Sequence, residues 1–179
     1  MLVAKQKRQE NIAEYILYLY QIEDLIRAFQ GDINLIQEKL IVRYQTDEKT
    51  SAEITDWYNN LVKMMEKEGI EEKGHLQFLT NLISEINELH IKLMNAEADQ
   101  LYVQTFKSVA GIVTELKHKN IAAQNDIELA LDTVYGFLLL KMKKAEISHQ
   151  TETAVKQISQ WLGVLSKLYK EYEAGKLDI

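Results

Sequence analysis

The 179-residue chain contains no proline. At an average usage of roughly 5%, a chain of this length would contain about nine. Proline costs about 3 kcal/mol in a helix interior, because it lacks an amide hydrogen and its ring clashes with the preceding turn. A chain without proline therefore has no residue of the type that most strongly interrupts helices. We predict that helix covers most of its length.

Apolar residues recur at intervals of three and four along seven segments, as on the buried face of a helix. The predicted helices cover about residues 3–30, 32–44, 50–69, 75–94, 102–116, 126–144 and 151–174. The third starts at a capping box formed by Thr50 and Glu53. No segment alternates with a period of two for long enough to predict a strand. The sequence thus predicts an all-α fold, a single-domain antiparallel helical bundle of six or seven helices over residues 1–179.

The first predicted helix has the most complete apolar surface. Leu17, Tyr18 and Tyr20 widen the stripe formed by Ile16 and Leu19, so the middle of this helix is apolar on nearly every side. A helix of that kind is covered by neighbours on more than one face. We therefore expect it to be central, ending at Gly31 with Asp32 capping the next helix.

Three glycines, Gly111, Gly136 and Gly163, fall inside predicted helices. Each costs about 1 kcal/mol relative to alanine at such a position. We expect close approach of neighbouring helices to compensate for this cost.

Charge and cysteine content narrow the classes of partner. The net charge is −6, and nucleic-acid binding requires clustered lysine and arginine, so we expect no nucleic-acid partner. The chain has no cysteine, which excludes disulfides and cysteine-based metal sites.

The apolar runs are far shorter than the roughly 20 residues of a membrane span, so we expect no membrane partner. Gln9, Glu10 and Asn11 interrupt any signal-peptide core, and we expect a cytoplasmic location.

Three Glu-x-x-His spacings are the sharpest candidates for metal ligands: Glu72 with His75, Glu115 with His118, and Glu146 with His149. Helical di-metal proteins use such pairs because side chains three positions apart share one helix face. Two of the pairs fall at predicted helix ends, and His118 lies on the outward face of its helix. We therefore predict no metal ligands among them, and no cofactor.

Two polar residues, Glu23 and His90, lie on or beside the predicted apolar faces of their helices. Glu23 lies on the buried side of the first helix, and an ion pair with Arg27 four positions later would explain both residues. A polar pocket around this helix is the alternative interpretation. His90 lies at the edge of an apolar stripe and is expected to be partly buried with a hydrogen-bond partner, or else to line a ligand pocket.

Several segments resemble a bacterial family of all-helical proteins defined as a domain of unknown function. The segments are KRQENIAEYILY at 7–18, QIEDLIR at 21–27, GHLQ at 74–77, ELH at 88–90 and YGFLLL at 135–140. The resemblance extends over nearly the whole chain and implies a single helical domain. It carries no activity and no catalytic residue. It does imply that five residues matter, which are the ligand-pocket candidates Glu23, Asp24, Arg27, His75 and His90.

The sequence favours a non-catalytic interaction or scaffold protein, which binds a protein partner or associates with itself. No phosphate-binding glycine loop and no nucleophile motif occur, so the sequence does not favour catalysis. The alternative is a small-molecule or metal-binding protein with a polar pocket around the first helix. A helical metalloenzyme is the third interpretation.

Overall fold

A computed structural model describes residues 2–96, 99–119 and 122–177. Within those ranges the protein has eight α-helices, one 3₁₀ helix and no strand. The helices are α1 (Leu2–Glu10), α2 (Ile12–Ala28), α3 (Ile33–Lys39), the 3₁₀ helix (Ile41–Tyr44), α4 (Glu48–Glu68), α5 (Gln77–Ala96), α6 (Gln100–Lys119), α7 (Asp126–Met142) and α8 (His149–Glu173). The all-α bundle predicted from the sequence is confirmed. No helix in the described ranges is long and apolar enough to cross a membrane.

The predicted helix count was too low because the first predicted helix is two helices. Asn11 adopts an extended conformation with φ −154° and ψ 107° between α1 and α2. Its side chain accepts a hydrogen bond from the amide of Glu14 at 3.1 Å and so caps α2. Apolar periodicity continues through this point, which is why it does not reveal the break.

Helix caps account for most of the other boundaries. Asp32 caps α3 as predicted, since its side chain accepts from the amides of Asn34 and Leu35. The predicted Thr50–Glu53 capping box is wrong. Asp47 caps α4 instead, accepting from the Thr50 amide at 2.9 Å and from the Thr50 hydroxyl at 2.7 Å. A carboxylate three residues before Thr50 satisfies both Thr50 donors, so α4 begins earlier than predicted.

Two predicted connections fall partly outside the described residues. The gap between the predicted helices 75–94 and 102–116 includes Glu97 and Ala98, and the gap between 102–116 and 126–144 includes Asn120 and Ile121. On the described sides, α5 ends at Ala96 and α6 begins at Gln100. Asn125 caps α7 by accepting from the amides of Ile127 and Glu128.

Helix α2 is central, as predicted. It packs against α1, α4, α7 and α8. Its side chains Ile16, Leu19 and Tyr20 are almost completely buried. Most residues of α2 therefore meet another element, and a polar residue that is buried there must find a partner within the protein.

The three helical glycines do not mark close helix contacts. A Cβ atom added at Gly111, Gly136 or Gly163 would meet no other group within 4 Å. The expectation of compensating close approach was wrong, because the neighbouring helices leave open space at all three positions.

The connection between α4 and α5, residues 69–76, crosses the carboxyl-terminal half of α2 and is called the α4–α5 loop below. It begins at Gly69 with φ +67° and contains Gly74 with φ +95°. Side-chain-bearing residues rarely adopt these angles, so the two glycines permit the path of the loop. This path brings a histidine onto the buried face of α2.

Candidate functional site

Four of the five candidate residues meet where the α4–α5 loop crosses α2. Glu23, Asp24 and Arg27 come from α2, and His75 comes from the loop. Glu23 is only 1% exposed. Its carboxylate accepts a hydrogen bond from the Leu76 amide at 2.9 Å, and His75 Nδ1 lies 2.6 Å from its other oxygen. The buried carboxylate therefore fastens the end of the loop to α2 through two donors.

The predicted ion pair between Glu23 and Arg27 does not form. Arg27 Nη1 donates to Asp24 Oδ1 at 3.0 Å. Arg27 Nη2 donates to the carbonyl oxygens of Ile70, at 3.3 Å, and Gly74. The spacing of four residues predicted the pair from α2 alone, whereas both side chains have partners on the loop, 43 to 53 positions further along the chain.

Two tyrosines, Tyr20 and Tyr135, pack against the four residues that meet at the loop, and the six residues together are called the cluster below. The Tyr20 ring stacks on the His75 ring with centroids 3.7 Å apart and planes 17° apart. Tyr135, from α7, donates its hydroxyl hydrogen toward Asp24 Oδ2 at 2.5 Å and lies 3.3 Å from the Tyr20 carbonyl oxygen. Burial raises the pKa of Tyr135, and the bond to Asp24 raises it further, so the phenol remains a donor. The cluster therefore joins α2, α7 and the loop.

Asp132, also on α7, is a carboxylate near this cluster that has no ion-pair partner of opposite charge among the described residues. It is half-buried, and no described hydrogen bond or ion pair involves its side chain. Burial raises the pKa of Asp132, the neighbouring charge of Glu128 raises it further, and His75 opposes the change. Sequence reasoning missed Asp132, which lies near His75, and Tyr135, which contacts Tyr20 and Asp24, because only the folded chain brings α7 to this region.

Two buried side-chain polar atoms among the described residues lack a hydrogen-bond partner, and both belong to this region of α2. They are the Tyr20 hydroxyl oxygen and Arg27 Nε. Burial raises the pKa of Tyr20, with smaller contributions from three surrounding carboxylates. Unpaired buried groups are costly and rare in folded proteins. The two unpaired atoms both lie near the contacts between α2 and the loop, which distinguishes this region from the rest of the described core.

The fifth candidate, His90, lies elsewhere. It is 6% exposed on α5, with Nδ1 2.6 Å from the Tyr102 hydroxyl. That hydroxyl accepts from Trp161 Nε1 at 3.1 Å, so its own hydrogen is available for His90 Nδ1. Burial lowers the pKa of His90, in keeping with an uncharged imidazole that accepts this bond. The partners of His90 thus come from α6 and α8, as the partly buried interpretation anticipates.

The Glu-x-x-His pairs do not act as pairs. His75 meets Glu23 instead of Glu72, and Glu115 binds Lys119 at 2.6 Å. Glu146, His149 and His118 are exposed. Within the described ranges, no group of three or more histidine, aspartate or glutamate side chains could hold a metal ion.

A cavity of about 510 Å³ lies beside the cluster, between α2, α4 and the α4–α5 loop. We call it the α2–α4 cavity. Its floor contains the buried apolar residues Ile26, Val62 and Met65. Its polar lining residues are Arg27, Gln30, Glu66, Glu71 and Glu72, and Gly31 also lines it. Arg27 therefore belongs both to the contacts that hold the loop and to the wall of the cavity.

The family model described as "Domain of unknown function (DUF4924)" matches residues 1–176. The chain therefore belongs to this family, which confirms the predicted resemblance to a domain of unknown function. No curated protein and no solved structure matches it. A role for the site has to come from its geometry.

Proposed function

We propose that this member of the DUF4924 family is a small-molecule-binding protein whose ligand occupies the α2–α4 cavity. The observation that carries the proposal is the cavity itself, about 510 Å³ with an apolar floor and a polar wall. Ligand sites are commonly concave, have volumes of about 300–1,000 Å³, and combine apolar contact with polar groups that orient the ligand.

The contacts of the α4–α5 loop support the proposal, because they hold one wall of the cavity in place. Glu23 binds the loop at His75 and Leu76, and Arg27 binds it at Ile70 and Gly74. Glu71 and Glu72, which line the cavity, lie between these anchor points. A cavity whose wall is already ordered binds a ligand without the entropic cost of ordering that wall.

A thermal-shift screen of small polar fragments tests the proposal. Glu66→Trp places a large side chain at the exposed mouth of the cavity, and Lys63→Trp, on the same helix but outside the cavity, is the matched control. We expect fragments that raise the Tm of the wild type and of Lys63→Trp but not of Glu66→Trp. Fragments that stabilise all three proteins equally, or no stabilising fragments at all, would contradict the proposal.

Protein–protein interaction is a second candidate function, and one surface favours it. A groove of about 330 Å³ lies between α1, the 3₁₀ helix and α4, and is lined in part by Val3, Tyr44 and Ile54. Val42, on the same 3₁₀ helix, is 65% exposed. Sedimentation velocity tests self-association through this surface. Self-association predicts an oligomer that Val42→Asp dissociates, whereas a monomer at all concentrations would contradict it.

A further inference from the structure

We infer that the ligand of the α2–α4 cavity is a small organic cation, with an ammonium group attached to an apolar body. This inference rests on the proposed function and names its ligand class. It follows from three features of the cavity: the charge of its wall, the state of its one arginine, and the chemistry of its floor.

Three carboxylates line the cavity and come from two different elements, Glu66 from α4 and Glu71 and Glu72 from the loop. In the part of the chain that the structure describes, no ion pair or side-chain hydrogen bond involves any of them. Unpaired like charges around one concave surface concentrate cations there, because the surrounding protein focuses their field.

Arg27 does not cancel this charge. Its guanidinium already forms an ion pair with Asp24 at 3.0 Å and donates to two loop carbonyl oxygens. The lining therefore presents three free carboxylates and one arginine whose charge is offset by Asp24. An anionic ligand would have to compete with Asp24 and face the three glutamates.

The apolar floor of the α2–α4 cavity is unsuited to a metal ion. Ile26, Val62 and Met65 are nearly fully buried apolar residues, and they supply no oxygen atoms for a hydrated metal ion. An alkyl or aromatic body would cover this floor while its ammonium group faces the glutamates. Apolar contact and charge then act on opposite ends of the same molecule.

Three probes of equal length separate the alternatives: hexylamine, hexan-1-ol and hexanoate. Isothermal titration calorimetry on the wild type is expected to show hexylamine binding at least about tenfold more tightly than the other two, a difference of 1.4 kcal/mol. The double variant Glu71→Gln/Glu72→Gln should lose most of that preference. A control with the same change in charge, Glu48→Gln/Glu146→Gln, alters exposed glutamates outside the cavity and should retain it.

The outcomes distinguish this inference from the proposed function. If hexan-1-ol or hexanoate binds as well as hexylamine, and Glu66→Trp abolishes the binding, the cavity is a ligand site and the cation inference is wrong. The same holds if the fragment screen finds ligands blocked by Glu66→Trp while hexylamine does not bind. If hexylamine binds equally to the wild type and to both double variants, its site is elsewhere and the inference is overturned.

Discussion

His75 Nδ1 lies 2.6 Å from the buried carboxylate of Glu23, although the two residues are 52 positions apart in the chain. Glu23 also accepts from the neighbouring Leu76 amide. One buried carboxylate thus joins the carboxyl-terminal half of α2 to the end of the α4–α5 loop, which forms a wall of the α2–α4 cavity.

A double-mutant cycle tests this connection. Glu23→Ala leaves the buried Leu76 amide without an acceptor, and we expect a loss of about 3 kcal/mol in the free energy of unfolding. Glu23 and His75 are in direct contact, so their coupling energy should be about 1 kcal/mol or more. Urea denaturation of the single and double variants measures it. A larger coupling between Glu23 and Arg27 would support the ion pair that the structure lacks.

Arg27→Lys should loosen the α4–α5 loop. A lysine ammonium cannot reproduce the planar fork that binds Asp24 and two loop carbonyl oxygens at once. Hydrogen–deuterium exchange should therefore be faster at residues 70–76 in the variant. Arg43→Lys, at an exposed arginine of the 3₁₀ helix, is the control and should leave that exchange unchanged. Equal exchange in wild type and Arg27→Lys would show that Arg27 does not hold the loop.

The buried His90 should make stability depend on pH. Burial lowers the pKa of His90 below its ordinary value near 6.5. Between the lowered pKa of the folded state and the ordinary value near 6.5, the unfolded state binds more protons than the folded state. The free energy of unfolding therefore falls as the pH drops below about 6.5. His90→Gln can still accept from the Tyr102 hydroxyl but does not titrate. Denaturation between pH 7.5 and 5 should show a shallower dependence for this variant, and an unchanged slope would refute the assignment.

Replacing helical glycines should stabilise the protein. No group lies within 4 Å of a Cβ added at Gly111 or Gly136, so alanine fits without displacement. Each substitution should raise the free energy of unfolding by up to about 1 kcal/mol, from helix propensity alone. Gly69→Ala is the contrasting case, because φ at that position is +67° and alanine is strained there. Destabilisation by Gly111→Ala or Gly136→Ala would mean that these positions are more crowded than the structure shows.

The helices could be predicted because their signals are local. The absence of proline and the apolar periodicity are properties of each segment by itself. The caps at Asp32 and Gly69 likewise depend only on residues within a turn of the helix end. The break at Asn11 escaped prediction because the apolar stripe continues across it, while the capping bond depends on the extended conformation of one residue.

The candidate site could be predicted only in part. The resemblance singled out Glu23, Asp24, Arg27 and His75, and these four residues do converge. Their partners were not predictable, because a carboxylate on α2 and a histidine after α4 meet only when the loop follows the path that Gly69 and Gly74 permit. Tyr135 and Asp132 join from α7 for the same reason. The cavity has no sequence signal at all, since it is the space left between three elements.

Mapping of ligand contacts by ¹⁵N–¹H correlation spectra tests the central claim most directly. The fragments that stabilise the protein would be titrated into the labelled wild type. The account predicts that the shifted amides belong to the α2–α4 cavity, at residues 26–31, 62–66 and 69–74, with little change around Tyr44 and Ile54. Shifts confined to the groove at Tyr44 and Ile54, or absent from the cavity at saturating ligand, would contradict it.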